Sequence, residues 1–157
     1  GGQMAAEICK RLHFSLDSTE HIVCLVSDHH QFMHVRRMRP SRLKRFLRTH
    51  RFEEHLELHR VDCLACHGNL ENYEFCKEAV DEFGPEDIRP APLISGQDLI
   101  RLGYAPGPAF KHALTAVEDA QLEGTIDSRE SALAVARGTF RSLGVSSVYG
   151  DGTGGQA

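Results

Sequence analysis

The strongest chemical signal in the sequence is a basic segment at residues 36–51, which carries eight cationic side chains and no acidic one. The cations are Arg36, Arg37, Arg39, Arg42, Lys44, Arg45, Arg48 and Arg51. Cations spaced in this way can neutralise successive phosphates of a nucleic acid, with affinity driven by counterion release. Aromatic residues are sparse nearby, which favours contacts to the sugar-phosphate backbone over base stacking. The alternative is a solvated helix face that acidic helices balance.

A second candidate is a glycine-containing turn between two predicted helices, followed by Lys111 and His112. Backbone N–H groups at the start of a helix lack intrahelical partners, so a turn with Gly103, Gly107 and Pro108 can present them to a phosphate. In the alternative interpretation, Gly103 only ends one helix and Pro108 only starts the next.

Histidine and cysteine recur every four residues in the middle of the chain, at His55, His59, Cys63 and His67. This spacing places them along one face of a helix. Four ligands on one straight helix cannot surround a tetrahedral ion, so zinc would need two adjacent ones plus ligands from elsewhere. The candidates for those ligands are Cys76, His29 and His30. We favour small buried thiols and partly exposed histidines.

Histidines and an aspartate on neighbouring helices could also hold a divalent metal for phosphoester hydrolysis. The candidate ligands are His29, His59 and Asp62. The set is short of ligands, and the sequence contains no His-Asp dipeptide that would complete it. A structural hydrogen bond or ion pair is the alternative role of Asp62.

The elements that position these residues are predicted to be helices, because apolar residues follow the 3.6-residue period in nearly every segment and no segment alternates like a strand. The fold class is therefore predicted to be all-α. Helix starts are expected at Asp17 with Glu20, at Ser41, at Ser95 with Asp98 and at Asp127 with Glu130. A longer helix from Phe52 is expected to end at Gly68. Its predicted buried residues are Leu56, Val61 and Leu64.

The domain organisation is predicted from a break at residues 84–92, where three prolines and a glycine favour an extended connection. We predict a helical body over residues 1–83, a linker over 84–94 and a smaller helical tail over 95–143. The tail contains the helix-turn-helix hairpin. Residues 144–157 are rich in glycine and serine, and we expect them to be disordered.

The composition excludes a membrane-spanning protein. The 157 residues include five cysteines and carry a net charge of -4, of which the basic segment contributes +8 and the rest -12. No apolar run approaches the ~20 residues that span a bilayer. No secretory leader opens the sequence, so we expect a cytoplasmic protein with reduced thiols. The start without an initiator Met indicates an excerpt of a longer protein.

Three blocks of sequence resemble, in the same order, the C-terminal half of bacterial tRNA nucleotidyltransferases and poly(A) polymerases, the class II CCA-adding enzyme family. The blocks are MRPSRLKRFLR at residues 38–48, EEHLELHRVDCLACHGNL at residues 53–70, and LISGQDL at residues 93–99 with Gly103, Pro106, Gly107 and Pro108 after it. The resemblance extends from Met4 to about Val135.

The resemblance implies an all-helical body and tail that bind tRNA or another RNA near its 3′ end. Together with the charge pattern, it indicates RNA contacts at Arg36, Arg37, Arg39, Arg42, Lys44, Arg45, Arg48, Gly103, Gly107 and Lys111. It also implies a head and neck, outside this sequence, that bind Mg²⁺ and a nucleoside triphosphate for CCA addition or polyadenylation. The sequence lacks those catalytic motifs, so we expect this chain alone to be inactive as a transferase and to hold no cofactor.

The first helical region also resembles the second half of an HD-superfamily domain. In that comparison, Asp62 corresponds to the last metal-binding aspartate and His29 to an accessory histidine. Two other functions stay open at this point: a fragment of an HD-type metal-dependent phosphohydrolase, and a helical oligomerisation module.

Overall fold

The computed structural model describes residues 1–148, and every regular element within that range is helical. The α-helices are α1 (Gly2–Arg11), α2 (Leu16–Asp28), α3 (Pro40–Leu47), α4 (Phe52–Cys66), α5 (Glu71–Glu82), α6 (Pro85–Ile88), α7 (Gly96–Arg101), α8 (Pro108–Leu122) and α9 (Arg129–Ser142). A 3-10 helix (His29–Arg37) lies between α2 and α3. The predicted all-α fold is confirmed. No helix in the described range is long and apolar enough to cross a membrane.

The chain divides into two compact units. Unit 1 comprises Gly1–Met38 and Arg45–Gly84, and unit 2 comprises Arg39–Lys44 with the described residues from Pro85 onward. The division after Gly84 lies at the start of the predicted linker, where α6 forms instead of a fully extended connection. Part of the basic segment thus belongs to unit 2, whereas the sequence placed all of it in the body.

Unit 1 is built around a cluster of aromatic rings. Phe32 is fully buried, and its ring stacks on His59 with 4.4 Å between the ring centroids. Phe46 meets the Phe32 ring edge-on at 4.9 Å, and Phe52 lies 6.0 Å from it. Aromatic contacts of this kind contribute about 0.5–1.5 kcal/mol each beyond the burial of area. The cluster therefore fixes the 3-10 helix against α4.

Unit 2 has a core of alanines and aromatic rings between α7, α8 and α9. Phe140 is fully buried and stacks on Tyr104 with 3.9 Å between centroids. Ala113 on α8 and Ala132 and Ala136 on α9 are also completely buried, and small side chains at these positions let two helices approach closely.

Local capping chemistry sets the helix starts, and one of the four predicted caps is confirmed. Ser95 and Asp98 form a capping box at the start of α7. The caps of α2 and α9 are instead Ser15 and Ser128, each of which accepts a backbone N–H three residues later. The predicted caps Asp17 and Asp127 were wrong by one or two residues, because Ser and Asp are about equally good caps and either fits the pattern. Ser41 was also wrong as a cap, since α3 begins before it at Pro40.

The face that α4 buries differs from the prediction. The helix begins at Phe52 as expected, and Gly68 follows its end with φ +73°. Its buried residues, however, are Phe52, His55, His59 and Cys63. Val61 and Leu64 were wrongly predicted to be buried and are 50% and 52% exposed. The stacking of His59 on Phe32 shows that aromatic neighbours, which periodicity does not consider, select the buried face.

The end of the described chain is ordered where the sequence predicted disorder. Val145 packs against the core of unit 2, and the Ser147 hydroxyl donates to the Leu102 carbonyl at 2.6 Å. The Val148 N–H donates to the Gly103 carbonyl at 2.9 Å. These bonds hold residues 145–148 on the turn after α7, so the predicted disorder is wrong there. The remaining residues of that prediction, 149–157, lie outside the described range.

Candidate functional site

The basic segment has acidic partners in both units. In unit 1, Arg36 Nη1 donates to Glu71 Oε2 at 3.0 Å, and in unit 2, Arg39 Nη2 donates to Asp119 Oδ2 at 2.9 Å. The half-buried cations that also have interaction partners are Lys44, Arg45 and Arg48. Acidic neighbours therefore balance part of the segment, as the alternative interpretation expected. Exposed ion pairs are worth only about 0–1 kcal/mol, so Arg36 and Arg39 can exchange a carboxylate for a phosphate at little cost.

Arg37 and Arg42 are the cations of the basic segment that are most accessible to a phosphate. Both are exposed, and neither side chain forms a hydrogen bond or ion pair with a residue in the range 1–148. Arg37 ends the 3-10 helix in unit 1, and Arg42 lies on α3 in unit 2. A phosphate can approach either guanidinium without displacing an acidic partner among these residues.

The Gly103 backbone is already committed to ending α7. Gly103 has φ +84°, a region that residues with a Cβ rarely adopt. Its N–H donates to the Ile100 carbonyl at 2.8 Å, and its own carbonyl accepts the Val148 N–H. The geometry at Gly103 is therefore that of a helix terminus, the alternative that the sequence left open, and its amide is not free for a phosphate.

The second half of the hairpin, at Gly107 and the start of α8, is exposed. Gly107 precedes α8 as its N-cap, is exposed, and has no atom within 4 Å of the position that a Cβ would take. Pro108 occupies the first helical position, as expected. A surface groove follows along α8, lined by Pro108, Lys111, His112, Thr115, Ala116 and Asp119. Lys111 and His112 are exposed in it.

Asp119 connects the groove on α8 to the basic segment within unit 2. It lines the groove and also accepts the hydrogen bond from Arg39. Directly after the end of α8, Glu123 Oε1 accepts a hydrogen bond from the hydroxyl of the fully buried Ser41 at 2.7 Å. These contacts dock the start of α3 on the C-terminal part of α8. The structure thus brings Arg39 beside the groove that holds Lys111, although the sequence treated the two as separate candidates.

The three predicted metal ligands on the HD-like pattern are not brought together. His29 Nδ1 donates to the Val26 carbonyl at 2.6 Å, His59 is buried against Phe32, and Asp62 is exposed. Burial is the largest influence on the pKa of His59 and lowers it, while Asp62 raises it and His29 lowers it. Within residues 1–148, these three side chains do not place ligand atoms within 4.8 Å of one another.

A different set of ligand-type atoms does converge, from Cys24, Asp28 and His55. The Cys24 thiol donates to Asp28 Oδ2 at 3.4 Å, and Gln31 Nε2 donates to Asp28 Oδ1 at 2.8 Å. His55 is only 1% exposed, and neither of its ring nitrogens has a hydrogen-bond partner among the described residues. Burial lowers the pKa of His55 and raises that of the Cys24 thiol. Sequence reasoning missed Cys24 and Asp28, whose only signal is a spacing of four residues on α2.

The comparisons with known proteins relate part of this chain to one enzyme. Over 71 residues, which are 45% of the chain, it is 47% identical to a protein of Halalkalibacterium halodurans described as an A-adding tRNA nucleotidyltransferase. The matched stretch covers 17% of that protein's length, so the chain spans only a small part of it. No protein-family model matches the chain, and no solved structure matches it significantly. The partial match supports a relationship to enzymes that modify RNA ends.

Proposed function

We propose that this chain binds RNA, with the 3′-terminal region of tRNA as the expected partner, by contacting phosphates through its basic segment and the start of α8. The chain acts in this proposal as the body and tail of a nucleotidyltransferase that adds nucleotides to RNA 3′ ends. It holds the substrate, and chemistry takes place elsewhere in the enzyme.

The observation that carries the proposal is the convergence in unit 2. Lys111 in the first turn of α8 lines the groove, and Arg39, just before α3, donates to Asp119, which also lines the groove. Lys111 lies in the first turn of α8, where the positive end of the helix dipole adds to its charge. Arg42 is exposed on the same short helix that Arg39 precedes. Cations from two distant parts of the sequence therefore lie on one surface. A helix face that is only exposed to solvent would not need the second group of cations.

The partial match to an A-adding tRNA nucleotidyltransferase supports the choice of RNA over another polyanion. The 157 residues contain no phosphate loop and no Asp-x-Asp pair. The proposal therefore assigns nucleotide transfer, Mg²⁺ and the nucleoside triphosphate to a head outside this sequence. Alone, the chain binds RNA and transfers nothing.

A charge-neutralising pair of substitutions tests this assignment. Fluorescence anisotropy with labelled tRNA compares the wild type with the double variant Arg42→Gln/Lys111→Gln. A hydrogen bond to a charged group contributes about 1.5–3 kcal/mol, so the loss of two phosphate contacts weakens binding by roughly 100-fold or more.

The matched control removes the same charge from other exposed positions, Lys77 on α5 and Arg137 on α9. The variant Lys77→Gln/Arg137→Gln binds tRNA within about threefold of the wild type, because neither side chain belongs to the basic segment or lines the groove on α8, and salt screens exposed charges outside the contact surface. An equal loss of tRNA affinity in both double variants would mean that binding depends only on the net charge of the protein, and would contradict the proposed surface.

The phosphohydrolase alternative has less support. Asp62 is exposed and His59 is stacked on Phe32, and these two do not form a ligand group with His29. Hydrolysis through those three residues would need a rearrangement of the core of unit 1.

A further inference from the structure

We propose that Cys24, Asp28 and His55 form a binding site for a divalent transition metal of the zinc type, between α2 and α4 of unit 1. The site is independent of the RNA-binding surface proposed above. It also differs from the His29, His59 and Asp62 set that the sequence indicated.

Three different types of metal ligand converge at this site. The thiol sulfur, a carboxylate oxygen and an imidazole nitrogen all lie within 4.8 Å of one another. Zinc takes sulfur, nitrogen and oxygen ligands at about 2.0–2.3 Å in a tetrahedron, which places neighbouring ligand atoms about 3.3–3.8 Å apart. Small side-chain rotations close the remaining gap. Three protein ligands leave the fourth position of the tetrahedron to a water molecule or another ligand.

The imidazole of His55 is buried without a hydrogen-bond partner among residues 1–148. It is one of the most completely buried side chains, yet both of its ring nitrogens lack a partner among the described residues. Buried polar atoms are almost always paired, and an unpaired one calls for a bound water or ion. A metal coordinated by one nitrogen satisfies His55 and explains why a histidine occupies a core position of α4.

Neighbouring polar side chains orient the other two ligands. Cys24 and Asp28 are one helical turn apart, so they share a face of α2. Gln31 donates to Asp28 Oδ1 and leaves Oδ2 facing Cys24. Near the site, His21 Nε2 and Glu54 Oε2 pair at 2.6 Å and fix α2 to α4. Polar partners that orient a ligating group are characteristic of metal sites.

The chemistry of the donors favours one class of ion. Thiolate and imidazole are poor ligands for Mg²⁺ and Ca²⁺, which prefer oxygen, and suit Zn²⁺ and Co²⁺. On binding, the Cys24 S–H bond breaks, its proton leaves to solvent, and the sulfur coordinates the metal. Cys24 is exposed at the surface, so the ion has a path to the site.

Cobalt(II) spectroscopy on the 157-residue chain tests the proposal, because a Co²⁺–thiolate bond gives a charge-transfer absorption that histidine or carboxylate ligands do not. We expect this absorption to saturate at one equivalent of Co²⁺ and to disappear on addition of Zn²⁺ but not of Mg²⁺. Cys24→Ser abolishes the absorption. Gln31→Ala weakens Co²⁺ binding by about 10–100-fold, since it orients a ligand without being one.

The chain offers a matched control in Cys66. This thiol is also exposed and also lies one turn from an aspartate, Asp62, at 4.0 Å, but it belongs to no group of three ligands among residues 1–148. Cys66→Ser retains the absorption and the affinity. Absence of a thiolate band in the wild type, an unchanged band in Cys24→Ser, or loss of the band in Cys66→Ser would each overturn the proposed site.

Discussion

The two units of this protein differ in whether their buried polar side chains have hydrogen-bond partners. Unit 1 buries His55 on α4, and neither ring nitrogen of His55 has a partner among the described residues. In unit 2, the buried side chains of Ser41 and Asp98 are both paired, with Glu123 and Arg129, and Lys111 stays at the surface. A buried unpaired polar group destabilises a fold, whereas a surface cation hardly affects it. We therefore expect substitutions at the candidate site of unit 1 to change stability, and substitutions at the candidate surface of unit 2 to leave it nearly unchanged.

The largest expected effect is on the core of unit 2. Phe140 is fully buried and contacts Tyr104 and Phe110. Truncation of a buried phenylalanine leaves a cavity, so Phe140→Ala lowers the free energy of unfolding by about 3–5 kcal/mol. Urea denaturation followed by circular dichroism measures it. A loss below 1 kcal/mol would contradict the account of this core.

The opposite sign is expected for a core substitution in unit 1. In the presence of a chelator, His55→Leu replaces buried nitrogens that have no partner among residues 1–148 with an apolar group of similar size, so it raises the free energy of unfolding by about 1–3 kcal/mol. The same urea titration measures it. Destabilisation of the chelated protein would show that His55 has a partner, and the comparison between the units would fail at this position.

A smaller effect is expected at the cap of α7. Ser95→Ala removes the hydroxyl of the capping box and lowers the free energy of unfolding by about 1 kcal/mol. Removal of bound metal by a chelator leaves this loss unchanged, because the cap lies in unit 2 and the proposed metal site lies in unit 1. Urea midpoints of the variant and the wild type are compared with and without chelator. A loss of stability that depends on the chelator would show that the cap in unit 2 is coupled to the metal site in unit 1.

The same cap predicts a pH dependence. Hydrogen bonds from the Ser95 backbone N–H and hydroxyl, followed by Arg129, lower the pKa of Asp98 to about 2. Because this pKa is below the ordinary value of 3.8, the stabilisation is fully present above pH 3.8 and is lost as the pH falls towards 2. Asp98→Asn removes that part of the acid dependence in denaturant titrations between these two pH values. An identical acid profile in the variant would rule out the assignment.

The smallest effect on stability is expected where the proposed effect on RNA binding is largest. Arg42 and Lys111 are exposed and lack ion pairs within residues 1–148. Their double substitution to Gln shifts the free energy of unfolding by less than about 0.5 kcal/mol. Thermal unfolding of the same preparation used for RNA binding checks this. A larger loss would mean that these cations serve the fold of unit 2.

Local features of the fold were predictable from sequence, and those that depend on distant neighbours were not. The capping box at Ser95 and the proline at the start of α8 use residues within one helical turn, so their patterns are sufficient. The buried face of α4 depends on the ring of Phe32, which periodicity within α4 does not contain. When a helix has apolar residues on two faces, its own sequence does not determine which face is buried, and the neighbouring elements decide.

The same distinction applies to the candidate sites. The charge of the basic segment is visible in the sequence, but the contact of Arg39 with Asp119 joins residues 80 positions apart. The Cys24, Asp28 and His55 group joins two helices, and only the Cys24 and Asp28 half has a local spacing. Sequence reasoning identified candidate residue types, whereas their grouping depends on packing.

The salt dependence of tRNA binding by the unmodified chain is the decisive test of RNA recognition by this surface. In anisotropy titrations between roughly 50 and 200 mM salt, we expect log affinity to fall linearly with log salt, with a slope equivalent to several phosphate contacts. We also expect Arg42→Gln/Lys111→Gln to reduce the slope by about 2, one for each contact. No binding at the lowest salt concentration, or a slope that the double variant leaves unchanged, would contradict RNA recognition by this surface.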